Sequence, residues 1–140
     1  MFFAATDGQV MLKIRDKQLD ALSVKDPAKL IDFIVESLRR DSPEFVADQH
    51  PNMLQEMVRN GVQRAQTHGF EAPEDLLTFV TVMFQVAPNF DEHEILRSVL
   101  DDPNIPTEKR FDVLCDPRFD LAWKEASDRY DDDAWFPEVE

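Results

Sequence analysis

The run Asp91-Glu92-His93-Glu94 places four consecutive side chains that can bind a metal ion or move a proton. It opens the segment His93-Glu94-Ile95-Leu96-Arg97, one residue away from the zinc-hydrolase pattern H-E-x-x-H. Zinc needs a second imidazole one helical turn after the first, and Arg97 puts a cation there instead. Successive helical side chains also diverge by about 100°, so neighbours in sequence do not converge on one ion. A capping role accounts for the same residues. With Asp91 as N-cap, Glu94 falls at the reciprocal position of a capping box, and Phe90 and Ile95 at the two positions of a hydrophobic staple. Acidic residues in a first helical turn suit the helix dipole. His93 is then a surface residue whose loss changes stability by less than ~0.5 kcal/mol. Asp91 is a cap worth ~1 kcal/mol.

Other chemistries find less support. Cys115 lies between Leu114 and Asp116, with no histidine near it in sequence and a neighbouring acid that raises a thiol pKa. Gly8, Gly61 and Gly69 are the only glycines, too few and too scattered for a phosphate-binding or dinucleotide loop. The stretch DDPNIPTEKRFD carries acids, but it has Pro and Ile at calcium-ligand positions and lacks the central Gly. His50 and His68 have no spacing that ties them to His93. The residues thus predict no catalytic, cofactor-binding or metal-ligating set, and hence no enzyme.

Proline punctuates the elements that would position such residues. Asp26-Pro27, Ser42-Pro43, His50-Pro51, Ala72-Pro73 and Asp116-Pro117 each precede a stretch of helical periodicity. Proline suits the first helical position, and Asp or Ser before it can cap. Met53, Leu54, Met57, Val58, Val62 and Ala65, with Gly61 among them, share one face at helical spacing, and Gly69 can supply the left-handed residue that ends the helix. Leu30 to Leu38 form a second strongly apolar helix, while Leu76 to Val86 are apolar almost all round. The latter reads as the buried centre. Thr78–Phe84 admits a buried-strand reading, which the acidic start and the length of its segment outweigh, and Gln9–Ile14 is the other stretch with strand character. The expectation is an all-α domain of six to eight short helices over residues 11–126, with an N-terminal extension at 1–10 and an acidic-aromatic tail at 127–140.

Charge narrows the partners. The chain has 29 acidic and 15 basic residues, a net charge of −14, which disfavours nucleic acid and anionic membranes and favours a basic protein. Residues 128–140 hold six acids and one Arg, so the remainder carries 23 acids against 14 basic residues. Arg39, Arg40, Arg59 and Arg64 are outnumbered and not interleaved with exposed aromatics, against a nucleic-acid surface. No apolar run approaches the ~20 residues of a membrane span. The opening MFFAATDGQV has no basic start and meets Asp7 early, so no signal peptide is expected. One cysteine suits a reducing compartment, and the expected location is cytoplasmic. In the tail, Asp131, Asp132 and Asp133 precede Trp135 and Phe136. These five residues are the candidate protein-binding element, a peptide for an apolar, basic groove; the other reading docks the two aromatics back on the domain.

One longer stretch has a family likeness. Arg59, then Val62, Arg64 and Ala65, then His68-Gly69-Phe70, Glu74-Asp75, Met83-Phe84 and Phe90-Asp91 form an ordered series, preceded by Lys13-Ile14 and Gln18. The series resembles small helical proteins of unknown biochemical role encoded in bacterial type VI secretion gene clusters. His68 replaces the aromatic residue usual there, and the Pro-Trp-Ala expected after Asp91 is missing. The resemblance spans roughly residues 11–114, brings no catalytic residues, and leaves the tail uncovered. It implies a non-enzymatic accessory protein, adaptor or chaperone for an effector or spike component. An immunity protein that occludes a cognate toxin is the alternative, and an enzyme or toxin of unrecognised type the third.

Overall fold

The computed structural model describes residues 27–136, which form seven α-helices and three 3-10 turns with no strand among them. The helices are α1 (Pro27–Asp41), α2 (Pro43–Val46), α3 (Pro51–Thr67), α4 (Pro73–Gln85), α5 (Glu94–Leu100), α6 (Thr107–Leu114) and α7 (Asp120–Asp128). The 3-10 turns are Phe90–Glu92, Pro117–Phe119 and Asp132–Trp135. The all-α expectation holds. The N-terminal extension and the possible strand Gln9–Ile14 lie outside the described residues.

Proline marks helix starts as expected: Pro27, Pro43, Pro51 and Pro73 are each the first helical residue. Pro117 opens a 3-10 turn instead, under an Asp116 side chain that accepts the Arg118 N–H. Ser42 makes no side-chain cap bond. The cap of α3 comes from His50, whose Nδ1 accepts the Asn52 N–H at 3.2 Å. The far end of α3 closes on Gly69, at φ 94°. There Gly69 N–H donates to Gln66 O and Phe70 N–H to Ala65 O, the paired bonds of a Schellman ending.

The helix predicted to be central is central. Leu76, Leu77, Phe79, Val80, Val82 and Met83 of α4 are all buried, and α4 packs on both α3 and α1. Gly61 permits the close α3–α4 approach, because a Cβ there would lie 3.0 Å from Met83 Sδ and Val80 Cγ2. On the other side an aromatic cluster joins the two halves of the chain. Phe79 meets Phe90 at 4.9 Å between ring centroids, Phe70 meets Phe111 at 5.4 Å, and Phe90 meets Trp123 at 5.7 Å. Each such ring contributes roughly 1.5–3 kcal/mol by burial. Trp123 also donates its indole N–H to Leu114 O at 2.9 Å, so its polar atom is satisfied inside the core.

Two residues assigned to the core are exposed. Met53 lies in the first turn of α3, about 40° beyond the edge of the buried stripe. Ile95 is exposed because α5 starts two residues later than the capping box required.

Candidate functional site

Asp91 is not a helix cap. It sits within the 3-10 turn Phe90–Glu92, is 4% exposed, and faces the polar edge of α3. Arg64 and His68 stand four residues apart on that helix and so share an edge. Arg64 Nε donates to both carboxylate oxygens of Asp91 at 2.8 Å, and its Nη2 reaches Glu92 at 2.8 Å. His68 Nε2 lies 2.8 Å from Asp91 Oδ2, and its Nδ1 lies 2.5 Å from Asp101 Oδ1. Charge-assisted bonds of this kind exceed a surface cap in strength, and Phe90 gains a place in the aromatic core by the same shift. That is why the turn replaces the predicted capping box.

The electrostatics follow from these contacts. Burial opposes the His68 charge, but the bonds to Asp91 and Asp101 outweigh it and raise its pKa above the ordinary value. Burial likewise pushes Asp91 up, and the bonds from His68 and Arg64 overcome it and hold the carboxyl below its usual range. With both ring nitrogens donating to carboxylates, His68 has none left to accept a proton from a substrate.

The cap of α5 is His93, two residues downstream of the predicted one. Its Nδ1 accepts the Ile95 N–H at 3.2 Å, which leaves the ring proton on Nε2, 2.7 Å from Glu125 Oε1. His93 is 2% exposed, so it is a buried tie between α5 and α7 and not the tolerant surface residue expected. Glu94, expected to close the capping box, points outward and pairs with Arg129 at 3.2 Å.

Arg110 escaped the sequence reading. It is 8% exposed, and its guanidinium donates to four backbone carbonyls, those of His68, Leu100, Asp102 and Ile105, at 2.8–3.0 Å. This one side chain joins the end of α3 to the loop between α5 and α6. Pro103 and Pro106 in that loop supply no backbone N–H, so the loop has few donors of its own beyond the Ile105 N–H that reaches Asp102 O. The prolines were the available signal.

The five tail residues divide into two groups. Trp135 is 2% exposed, with its ring 4.4 Å from that of Phe84 on α4. Its carbonyl accepts Asn60 Nδ2 of α3 at 2.9 Å, and its indole donates to Tyr130 Oη at 3.2 Å. Asn89 holds the approach by donating to Arg129 O and accepting the Asp131 N–H, both at 3.0 Å. Residues 129–136 thus form a strap seated across α3 and α4. Asp131, Asp132 and Asp133 face outward, as does Phe136, which is 42% exposed. The Trp135 ring docks on the domain, whereas Phe136 and the acids are exposed, with Asp131 Oδ1 accepting the Asp133 N–H and Asp132 Oδ1 accepting from the Tyr130 hydroxyl.

Cys115 and two surface depressions are the remaining candidates. Burial, helped by Asp112, pushes the Cys115 thiol up, away from the thiolate. Among the described residues no group of three or more His, Cys, Asp or Glu side chains is placed to hold a metal ion. An open depression of about 400 Å³ lies between the end of α1, α2 and the start of α3, beside Arg39, Val46 and Pro51. A cleft of about 120 Å³ is lined by Asn89, Glu92, His93 and Arg129, whose polar groups are already engaged: Asn89 donates to Arg129 O, Glu92 meets Arg64, His93 meets Glu125 and Arg129 pairs with Glu94. No helix among the described residues is long and apolar enough to cross a membrane.

Over the described residues, the site and the fold together define a seven-helix arrangement carrying a seated acidic strap. Comparison with known proteins returns no match: no family model, curated protein or solved structure aligns significantly with this chain.

Proposed function

We propose that this chain is a non-enzymatic interaction module that binds a basic protein, serving as an adaptor or chaperone for a type VI secretion effector or spike component. The observation that carries the binding reading is the seated strap, in which buried Trp135 holds Asp131, Asp132, Asp133 and Phe136 on an ordered outer edge. An edge already ordered loses less conformational freedom on binding than a free peptide would. The net charge of −14 speeds encounter with a basic surface. Exposed Tyr130 and Phe136 offer the apolar area that a central contact needs. The secretion setting is supported by the ordered series from Arg59 to Asp91 and its resemblance to proteins of those gene clusters.

Affinity capture from the native organism, followed by mass spectrometry, identifies the partner, and titration calorimetry then tests the edge. Changing Asp131, Asp132 and Asp133 together to Asn should weaken binding and flatten its salt dependence. Phe136→Ala should weaken binding with the salt dependence kept. Full affinity in the triple variant would remove the strap as the binding element. A captured toxin silenced at one equivalent would favour the immunity reading.

A further inference from the structure

His68 is the one described histidine with both ring nitrogens on carboxylates, and the two carboxylates differ in freedom. The Asp91 side chain is 5% exposed and gripped by Arg64, whereas the Asp101 side chain is 43% exposed at the end of α5. A neutral ring keeps one proton and can donate to only one of them. Its other nitrogen then presents a lone pair to a carboxylate oxygen, which is repulsive at hydrogen-bond distance. The retained proton serves Asp91, which cannot reach solvent, and Asp101 is the arm that leaves.

We propose that His68 is a pH-gated latch that fastens the end of α5 to the end of α3 when doubly protonated and releases Asp101 first when it loses a proton. The surrounding charges fit this order. Arg64 of α3 remains on Asp91, and Arg97 of α5 lies 3.5 Å from Asp101 and can keep it at the surface. Glu92 of the 3-10 turn meets His68 only through Arg64. Arg110 of α6 donates to the His68 carbonyl rather than to the ring, and Phe79 of α4 supplies an uncharged face 5.7 Å away. Because Arg110 still holds Leu100, Asp102 and Ile105 by their carbonyls, the release is confined to the Asp101 side chain and its own peptide.

The His68 pKa is raised on folding, so the latch contributes its full stabilisation below the ordinary histidine value of about 6.5 and loses it as pH rises through the folded midpoint. Two-dimensional NMR across pH 5–9 on the intact chain tests it. The His68 ring should titrate above 6.5, and the Asp101 backbone amide should shift with the same midpoint while the Asp91 amide stays still. In Asp101→Asn, an exposed and conservative change, the ring midpoint should fall and the shared transition at position 101 should vanish. An unmoved midpoint in that variant overturns the proposal. So does an Asp91 amide that follows the ring in place of Asp101.

Discussion

Two cation sites, one partly solvated and one buried, lie on either side of His68 and neutralise charge by different means. Arg64 meets carboxylates, two oxygens of Asp91 and one of Glu92, so its site is an ion cluster completed by His68. Arg110 is more buried than Arg64, yet its guanidinium donates to four backbone carbonyls. Partial charges fixed by the backbone do not titrate, whereas carboxylates and imidazole do. The Arg110 cradle should therefore be indifferent to pH and the Asp91 cluster sensitive to it. The first joins the last residue of α5 and the α5–α6 loop to the end of α3 permanently; the second joins the 3-10 turn and, conditionally, the Asp101 side chain.

The largest effect should come from the cradle. Arg110→Met keeps a similar apolar stem but takes the guanidinium from four carbonyls, two of them in a proline-containing loop, where Asp102 O keeps only the Ile105 N–H. We expect a loss on the order of 3–4 kcal/mol, read by urea denaturation and constant from pH 5 to 9. A loss under about 1 kcal/mol, or one that varies across that range, would erase the contrast between the two sites.

Sequence reading reached the scaffold well and these polar sites poorly, for one reason. Periodicity and proline position are local signals. They located the four X-Pro helix starts, the central place of α4 and the left-handed Gly69 ending. Asp91 has a local reading too, as a cap followed three residues later by Glu94, and that local pattern lost to partners 27 and 23 residues away. Arg64 and His68 at i and i+4 were visible as a paired cationic edge, but nothing local named the acid they would meet. His93 reads as a solvated residue in an acidic run, yet burial against α7 makes it both a cap and a cross-helix bond. Trp135 was legible as one of two possibilities, and Phe84, the ring that receives it, lies 51 positions earlier.

The ion cluster should give the intermediate effect and carry the pH dependence. Asp91→Asn removes the charge that Arg64 and His68 share, at a site 4% exposed. The expected cost is about 2–3 kcal/mol at pH 7, somewhat below that of breaking a fully buried pair because Arg64 is partly solvated. Folding depresses the Asp91 pKa, so the wild type holds this contribution above the ordinary aspartate value of about 3.9 and loses it as pH falls through the folded midpoint. The gap between wild type and variant should accordingly close on acidification. A gap that stays constant down to pH 3 would mean that Asp91 acts through shape alone.

Asp75 supplies the uncompensated case, and its replacement should have the smallest effect and the opposite sign. It lies in the first turn of α4, half-buried, where burial and then the negative charges of Glu108 and Asp112 raise its pKa to about 6. The sign follows from the direction. A carboxyl that is harder to ionise in the folded state than in the unfolded chain destabilises the fold once the unfolded form ionises, from about pH 4 upward, and the penalty levels off above the folded midpoint. Asp75→Asn removes that penalty and forfeits only a modest interaction with the helix dipole. With allowance for solvent screening of a half-buried group, the variant should be more stable than wild type by up to about 1 kcal/mol at pH 8 and no different at pH 4. Thermal melts at the two pH values measure it. A loss of stability at pH 8 would mean that the Asp75 charge is compensated, and that burial without a counter-charge is not what separates it from Asp91.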